Sequence, residues 1–176
     1  MTNFLSRRTM MVDTQIRPAD VTKFPIIDAM LQVRREVFVP DHLCETAYAD
    51  AILDLGHGRI ILEPRTFAKM LDAVDIQSNE LVLDLGCGLG YSSAVIGKFS
   101  EAVVAIEENE NMATEAEANL AEEGCLIVAL VQGSLAEGAA QHAPFDVIVV
   151  QGAVEHMPEA VIAQLAEGGR IVAVFS

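Results

Sequence analysis

The chain has 176 residues, 52% of them apolar, which is enough to bury the core of one α/β domain and too short for two full domains. Its 26 Asp and Glu against 11 Lys and Arg give a net charge of −15. A surface this acidic gains nothing from nucleic-acid phosphates or anionic lipid, so neither is expected as a partner.

Taken in chain order, Ser6-Arg7-Arg8-Thr9-Met10-Met11 superficially has the look of a twin-arginine export signal. Asp13, Gln15, Arg17 and Asp20 interrupt what would have to be its apolar region, so export is not expected. Ile26, Ile27, Met30 and Val33 recur at helical spacing, and Pro25 is tolerable only in a first turn, which predicts a helix from about Phe24 to Val33. Gly56-His57-Gly58 is a turn or loop signal. Pro64 suits the first position of a helix whose apolar stripe is Phe67, Met70, Leu71 and Val74. From there on, short Val/Ile/Leu-rich runs at Leu81–Leu85, Val103–Ile106, Ile127–Val131, Asp146–Val150 and Ile171–Phe175 read as strands buried on both faces. Helical stretches at about Tyr91–Phe99, Asn111–Glu123 and Pro158–Ala166 separate them, so the fold is α/β, a mostly parallel sheet of right-handed βαβ units with helices on both faces. One domain spans 1–176: residues 1–62 form a helical N-terminal extension and loop, and residues 63–176 the βαβ core.

The acidic excess is uneven. Residues 1–98 hold 10 basic and 13 acidic side chains, whereas Arg170 is the one basic residue against 13 acids in 99–176. Most of that excess reads as a solvated helix face. Cys44, Cys87 and Cys125 are odd in number and form no C-x-x-C pair, which implies reduced thiols in a cytoplasmic protein rather than disulfides or a thiolate metal site. His42, His142 and His156 share no helix face or metal-ligand spacing, and His57, between two glycines, reads as a loop histidine rather than a ligand or proton carrier, so no metal is expected. No apolar run approaches the ~18 residues of a membrane span.

Asp84-Leu85-Gly86-Cys87-Gly88-Leu89-Gly90 follows directly on the first strong strand and opens a helix. Glycines there permit a tight turn and remove Cβ atoms, so backbone can lie against a ligand at the helix N-terminus. The dinucleotide fingerprint is G-x-G-x-x-G; here Tyr91 stands where its third glycine would be, which counts against a nicotinamide dehydrogenase. The D-x-G-x-G-x-G arrangement instead resembles motif I of S-adenosylmethionine-dependent methyltransferases, whose Rossmann-like fold it implies. That cofactor has no pyrophosphate but carries an ammonium and a sulfonium, which favour a carboxylate such as Asp84. Glu107 closes the next strand, where its carboxylate can accept from both ribose hydroxyls. The resemblance implies a cofactor site of Asp84, Gly86, Cys87, Gly88, Gly90, Tyr91, Glu107 and Glu108, with Gly133 and Ser134 after the third strand, Gln151 after the fourth, and Ile61. Tyr91 is expected to pack the first helical turn or touch the cofactor's amino-acid tail.

The flanking residues are similar to the protein-L-isoaspartate (D-aspartate) O-methyltransferase family. The similarity runs from about Met11 to Val174 and includes Val33-Arg34-Arg35-Glu36-Val37-Phe38-Val39-Pro40, like the family's V-P-R-E-x-F-V-P, and Ala47-Tyr48-Ala49-Asp50. Gln164-Leu165-Ala166-Glu167-Gly168-Gly169-Arg170 is shared with many methyltransferases. The resemblance implies methylation of the α-carboxylate of L-isoaspartyl residues in a damaged protein or peptide, with S-adenosylhomocysteine as product. Such a carboxylate is ionised at pH 7, so no general base is required. The family's loop G-Q-T-I-S-x-P is replaced by Gly58-Arg59-Ile60-Ile61-Leu62-Glu63-Pro64, so Ile60 and Leu62 stand where hydroxyls would position the acceptor. Arg59 and Leu62 are therefore the candidate acceptor-side residues, Arg59 as a bidentate contact to the carboxylate. The alternatives are a homologue that binds S-adenosylmethionine without isoaspartyl activity, and a methyltransferase for another small acceptor. Methyltransferases of this class add two strands after the fifth, whereas this sequence stops at Ser176. Its last strand is then expected to be an apolar edge, in a shortened chain or in one that forms a homodimer there.

Overall fold

A computed structural model describes residues 1–176. Its first element is one that polar composition hides: helix α1 (Phe4–Met11), capped by Asn3, whose side chain accepts from the Ser6 N–H at 3.0 Å. α1 runs on through a π-type turn at Val12–Ile16 and a 3-10 turn at Arg17–Ala19. Helix α2 (Phe24–Gln32) follows with Pro25 in its first turn and Ile26, Ile27, Ala29 and Met30 buried. Two 3-10 turns, Arg35–Phe38 and Asp41–Thr46, lead to an antiparallel hairpin of strands β1 (Leu53–Gly56) and β2 (Arg59–Ile61). The Gly56-His57-Gly58 signal is the turn of this hairpin, with all three residues at positive φ.

Helix α3 (Pro64–Val74) starts at its proline and buries Phe67, Ala68, Met70, Leu71 and Val74, each worth roughly 1.5–3 kcal/mol relative to exposure for the larger side chains. Strand β3 (Leu81–Leu85), helix α4 (Tyr91–Ile96), strand β4 (Ala102–Glu107), helix α5 (Glu110–Glu122), strand β5 (Val128–Gln132), strand β6 (Phe145–Val154), helix α6 (Glu159–Ile162) and strand β7 (Leu165–Phe175) complete the chain. The sheet is parallel throughout, in the order β5-β4-β3-β6-β7. The expected βαβ architecture is therefore present, and α6 is shorter than the Pro158–Ala166 stretch because β7 begins at Leu165, beside Phe145 of β6.

The apolar runs are continuous because each strand feeds two cores. Val82, Val103, Val147 and Val149 point into the larger one, with α2, α3, α4 and Met11, Val12 and Ile16. Leu83, Leu85, Val104, Ile106, Ile148 and Val150 point to the other face, under Phe145 and Val161. Chain order reverses between β3 and β6, so the carboxyl ends of β3, β4 and β6 open onto a topological switch point.

Candidate active site

At the end of β3 the Gly86 and Cys87 N–H groups both donate to the Ile106 carbonyl, at 2.8 and 3.1 Å, which folds the loop back over β4. Gly86 and Gly88 sit at φ of 86° and 58°, the region that favours glycine. Side-chain tips occupy the space beside them: a Cβ on Gly86 would overlap Nη2 of Arg59, and one on Gly88 would come within 2.9 Å of Leu55 Cδ1, so Arg59 and Leu55 would have to move aside.

Asp84 is fully buried below this loop and does not present a free carboxylate to a ligand. Its Oδ2 accepts from the Ser92 and Ser93 hydroxyls at 2.5 and 2.6 Å, and its Oδ1 accepts from Gln151 Nε2 at 2.9 Å. Burial pushes its pKa up, and the three hydrogen bonds and the Arg59 charge partly oppose the shift. Through these bonds Asp84 ties the start of α4 to Gln151 of β6.

Glu107, at the end of β4, is also fully buried. Its Oε1 accepts from the Glu108 and Asn109 N–H groups at 2.9 and 3.1 Å; its Oε2 accepts from the Gly88 N–H at 2.8 Å and from Arg59 Nε at 3.3 Å. A carboxylate offers about four acceptor positions, so this one is saturated. Arg59 thus lies on the Glu107 side of the glycine loop, paired with that carboxylate. The cavity left between hairpin and loop, lined by Ile60, Ile61, Gly86, Cys87, Tyr91, Ser92 and Gln151, measures about 10 Å³. A larger concavity of about 620 Å³, around Lys23, Phe24, Leu71, Gln77 and Phe99, includes no residue of the glycine loop.

The remaining candidates fall into two groups. Ile61, Cys87, Tyr91 and Gln151 surround the small cavity, and Gly133 reaches Glu107 through an N–H to carbonyl bond of 3.1 Å. Burial among carboxylates holds the Cys87 thiol well above its ordinary pKa, hence protonated and unreactive. Tyr91 takes the packing alternative: its ring lies between Phe38 and Phe67, with the Arg35 guanidinium 4.7 Å from its centroid. Glu108 turns its side chain to solvent and contributes its backbone, and Ser134 uses its carbonyl to hold the Glu137 and Gly138 N–H groups. Leu62 is 5% exposed and packs in the main core, where its side chain offers no polar group.

The model of the protein-L-isoaspartate(D-aspartate) O-methyltransferase family matches residues 6–175. The chain belongs to this family. Among curated relatives, a protein-L-isoaspartate O-methyltransferase of Koribacter versatilis is 38% identical over 172 residues, 98% of this chain and 78% of the relative. Another, from Rhodopseudomonas palustris, is 38% identical over 171 residues, 97% of this chain and 70% of the relative. A solved protein-L-isoaspartate O-methyltransferase superposes with a TM-score of 0.84 at 27% identity, covering 96% of this chain and 55% of its own. The fold is also that of a putative Plasmodium falciparum protein-L-isoaspartate O-methyltransferase crystallised with S-adenosylhomocysteine, at a TM-score of 0.81 and 19% identity.

The segments that carry the family likeness have structural work in this chain. Arg35 is fully buried; its Nε donates to the Ala47 carbonyl at 2.5 Å and its Nη2 to the Leu62 carbonyl at 3.0 Å, which anchors the end of the hairpin. Glu36 accepts from the Tyr48 hydroxyl and from Arg8 Nη2, and Arg8 Nε donates to the Tyr48 oxygen at 2.8 Å. The arginine pair near the N-terminus is thus partly consumed inside the fold. Ser92, Ser93, Leu55 and Arg8 were not legible as site or support residues: nothing in their spacing says that they close on Asp84, Gly88 or Glu36.

Proposed function

We propose that the chain transfers a methyl group from S-adenosylmethionine to the α-carboxylate of L-isoaspartyl residues in damaged proteins. The observation that carries the reading is the backbone-fixed Glu107 carboxylate beside Cβ-free Gly86 and Gly88, in a chain whose family likeness extends over residues 6–175. The donor set fits the group: a buried carboxylate oriented by three backbone N–H groups has one acceptor position, now taken by Arg59 Nε, to offer a ribose hydroxyl, and glycines admit close approach of a nucleoside. When bound, the cofactor would supply an electrophilic methyl on a sulfonium, whose departure to the acceptor carboxylate would leave a neutral thioether.

Glu107 and the loop from Gly86 to Gly90 hold the nucleoside. Gln151, fixed by Asp84, borders the space between donor and hairpin. Ile60, 3.8 Å from where a Gly152 Cβ would stand, and the hairpin around it exclude water from a reaction whose rate rests on alignment, since the attacking carboxylate needs no base. The partners are damaged polypeptides and, across the edge of β7, a second copy of the chain.

A second reading, a homologue that binds the donor without methylating isoaspartate, is favoured by Ile60 and Leu62, which put no hydroxyl at the acceptor side. Labelled S-adenosylmethionine offered with an isoaspartyl peptide, and with its aspartyl counterpart as control, separates the two. Label on the isoaspartyl peptide alone supports repair methylation; donor binding with no label on either peptide supports the second reading. Glu107→Ala is expected to weaken donor binding by about 1–3 kcal/mol, measured by calorimetric titration.

A further inference from the structure

We propose that Arg59 is a gate on the donor site, its guanidinium holding the position on Glu107 that the donor's ribose must take. The proposal rests on the reading of that site given above.

Three observations carry it. Every acceptor position of Glu107 is already used, and three of the four donors are backbone N–H groups that cannot leave without unfolding the loop. The replaceable one is Arg59 Nε. The guanidinium also fills the space that the missing Cβ of Gly86 creates, so one side chain covers both the carboxylate and the glycine platform. Finally, the hairpin is built to aim this cover. A register irregularity between Asp54 and Gly56 leaves Leu55 without a cross-strand partner and turns it onto Gly88, while Arg59, paired with Gly56, turns onto Gly86. Beside this cover, between Ile60, Ile61 and Gly86, about 10 Å³ of cavity is left, against the several hundred Å³ that a bound small molecule fills.

The cover is held loosely enough to move. Arg59 makes one hydrogen bond, the 3.3 Å contact to Glu107, and neither Nη group donates to the protein. Hairpin position depends on other residues, Leu53 in the core and the Arg35 bond to the Leu62 carbonyl, so the side chain can swing away while the strands stay paired. Paired with Glu107, the guanidinium also neutralises a carboxylate that is otherwise buried with backbone partners alone. Donor affinity is then reduced by the fraction of molecules with the gate open.

Calorimetric titration with S-adenosylhomocysteine tests this on the full chain, comparing the unaltered protein with Arg59→Gln and, should that variant fail to fold, Arg59→Ser. The gate predicts that removing the guanidinium tightens binding by about tenfold or more, corresponding to an open fraction of about a tenth or less in the unaltered protein. Binding by both proteins with equal affinity, or weaker binding by the variant, overturns the gate and leaves the donor reading standing. Absence of binding by either overturns both, since Arg59 would then not be what keeps the nucleoside out.

Discussion

Asp84 is a motif residue whose carboxylate is engaged by three donors of the protein itself. Ser92, Ser93 and Gln151 all donate to its buried carboxylate, yet burial still raises its pKa above the ordinary value of about 3.9. A carboxyl group whose folded pKa is raised contributes stability that is fully present below its unfolded pKa and lost as pH rises through the folded one. Asp84→Asn, uncharged at every pH, is therefore expected to gain in stability relative to the unaltered protein between pH 4 and pH 8. Denaturant midpoints at the two values measure the difference. An Asn variant that loses ground as pH rises would mean that the ionised carboxylate is the favoured form, and that its three donors outweigh desolvation.

At the scale of elements, Arg170 joins the last strand to the turn after α3. Its Nη1 and Nη2 donate to the two oxygens of Glu80 at 2.8 Å each, and its Nε donates to the Val74 carbonyl at 2.8 Å. The Arg170 guanidinium holds the Glu80 pKa below its usual value, so this pair stabilises above the unfolded carboxyl pKa of about 4.3 and is lost as pH falls through the lowered folded value. Arg170→Ala is expected to cost about 1–2 kcal/mol at pH 7, the figure being discounted because the guanidinium is partly exposed. The gap between the unfolding curves of variant and unaltered protein should narrow as pH falls through the lowered Glu80 pKa, leaving the part due to the backbone carbonyls of Val74 and Asp75. The Gly-Gly-Arg segment, readable as a family motif, thus serves the sheet rather than the cofactor.

The five strands were legible because Val, Ile and Leu runs such as Leu81–Leu85 serve two cores at once, and the glycine loop because a strand, three alternating glycines and a helix need that chemistry in that order. α1 was hidden by its polar surface: Arg8 is buried there, but only because Tyr48 and Glu36, far along the chain, accept its donors. The direction of Arg59 was hidden too. A one-residue irregularity in β1 decides which way the hairpin's side chains point, and no periodicity in a strand of three or four residues reports it.

For the whole molecule, the charge asymmetry coincides with architecture. The acidic stretch forms β4, α5, β5 and β6, around the Glu107 end of the site, and the basic residues lie mainly in the N-terminal layer and hairpin. β7 occupies one edge of the sheet, with Phe175 60% exposed. An uncovered apolar edge invites another strand, so the 176-residue chain is expected to self-associate with rising concentration. Light scattering over a dilution series checks this, and an unchanging monomer mass would count against pairing through β7.

The hairpin and the acidic half also differ in what a protease can see. No Lys or Arg occurs from Phe99 to Gly169, so trypsin has no bond to cut through β4, α5, β5, β6 and α6. The bonds after Arg59 and Arg65 bracket the end of the hairpin, and the first of them is protected while Arg59 remains tucked over Gly86. Tryptic fragments of the native protein therefore chart motions of the hairpin and N-terminal layer, while the acidic stretch survives as one long peptide whatever its own dynamics.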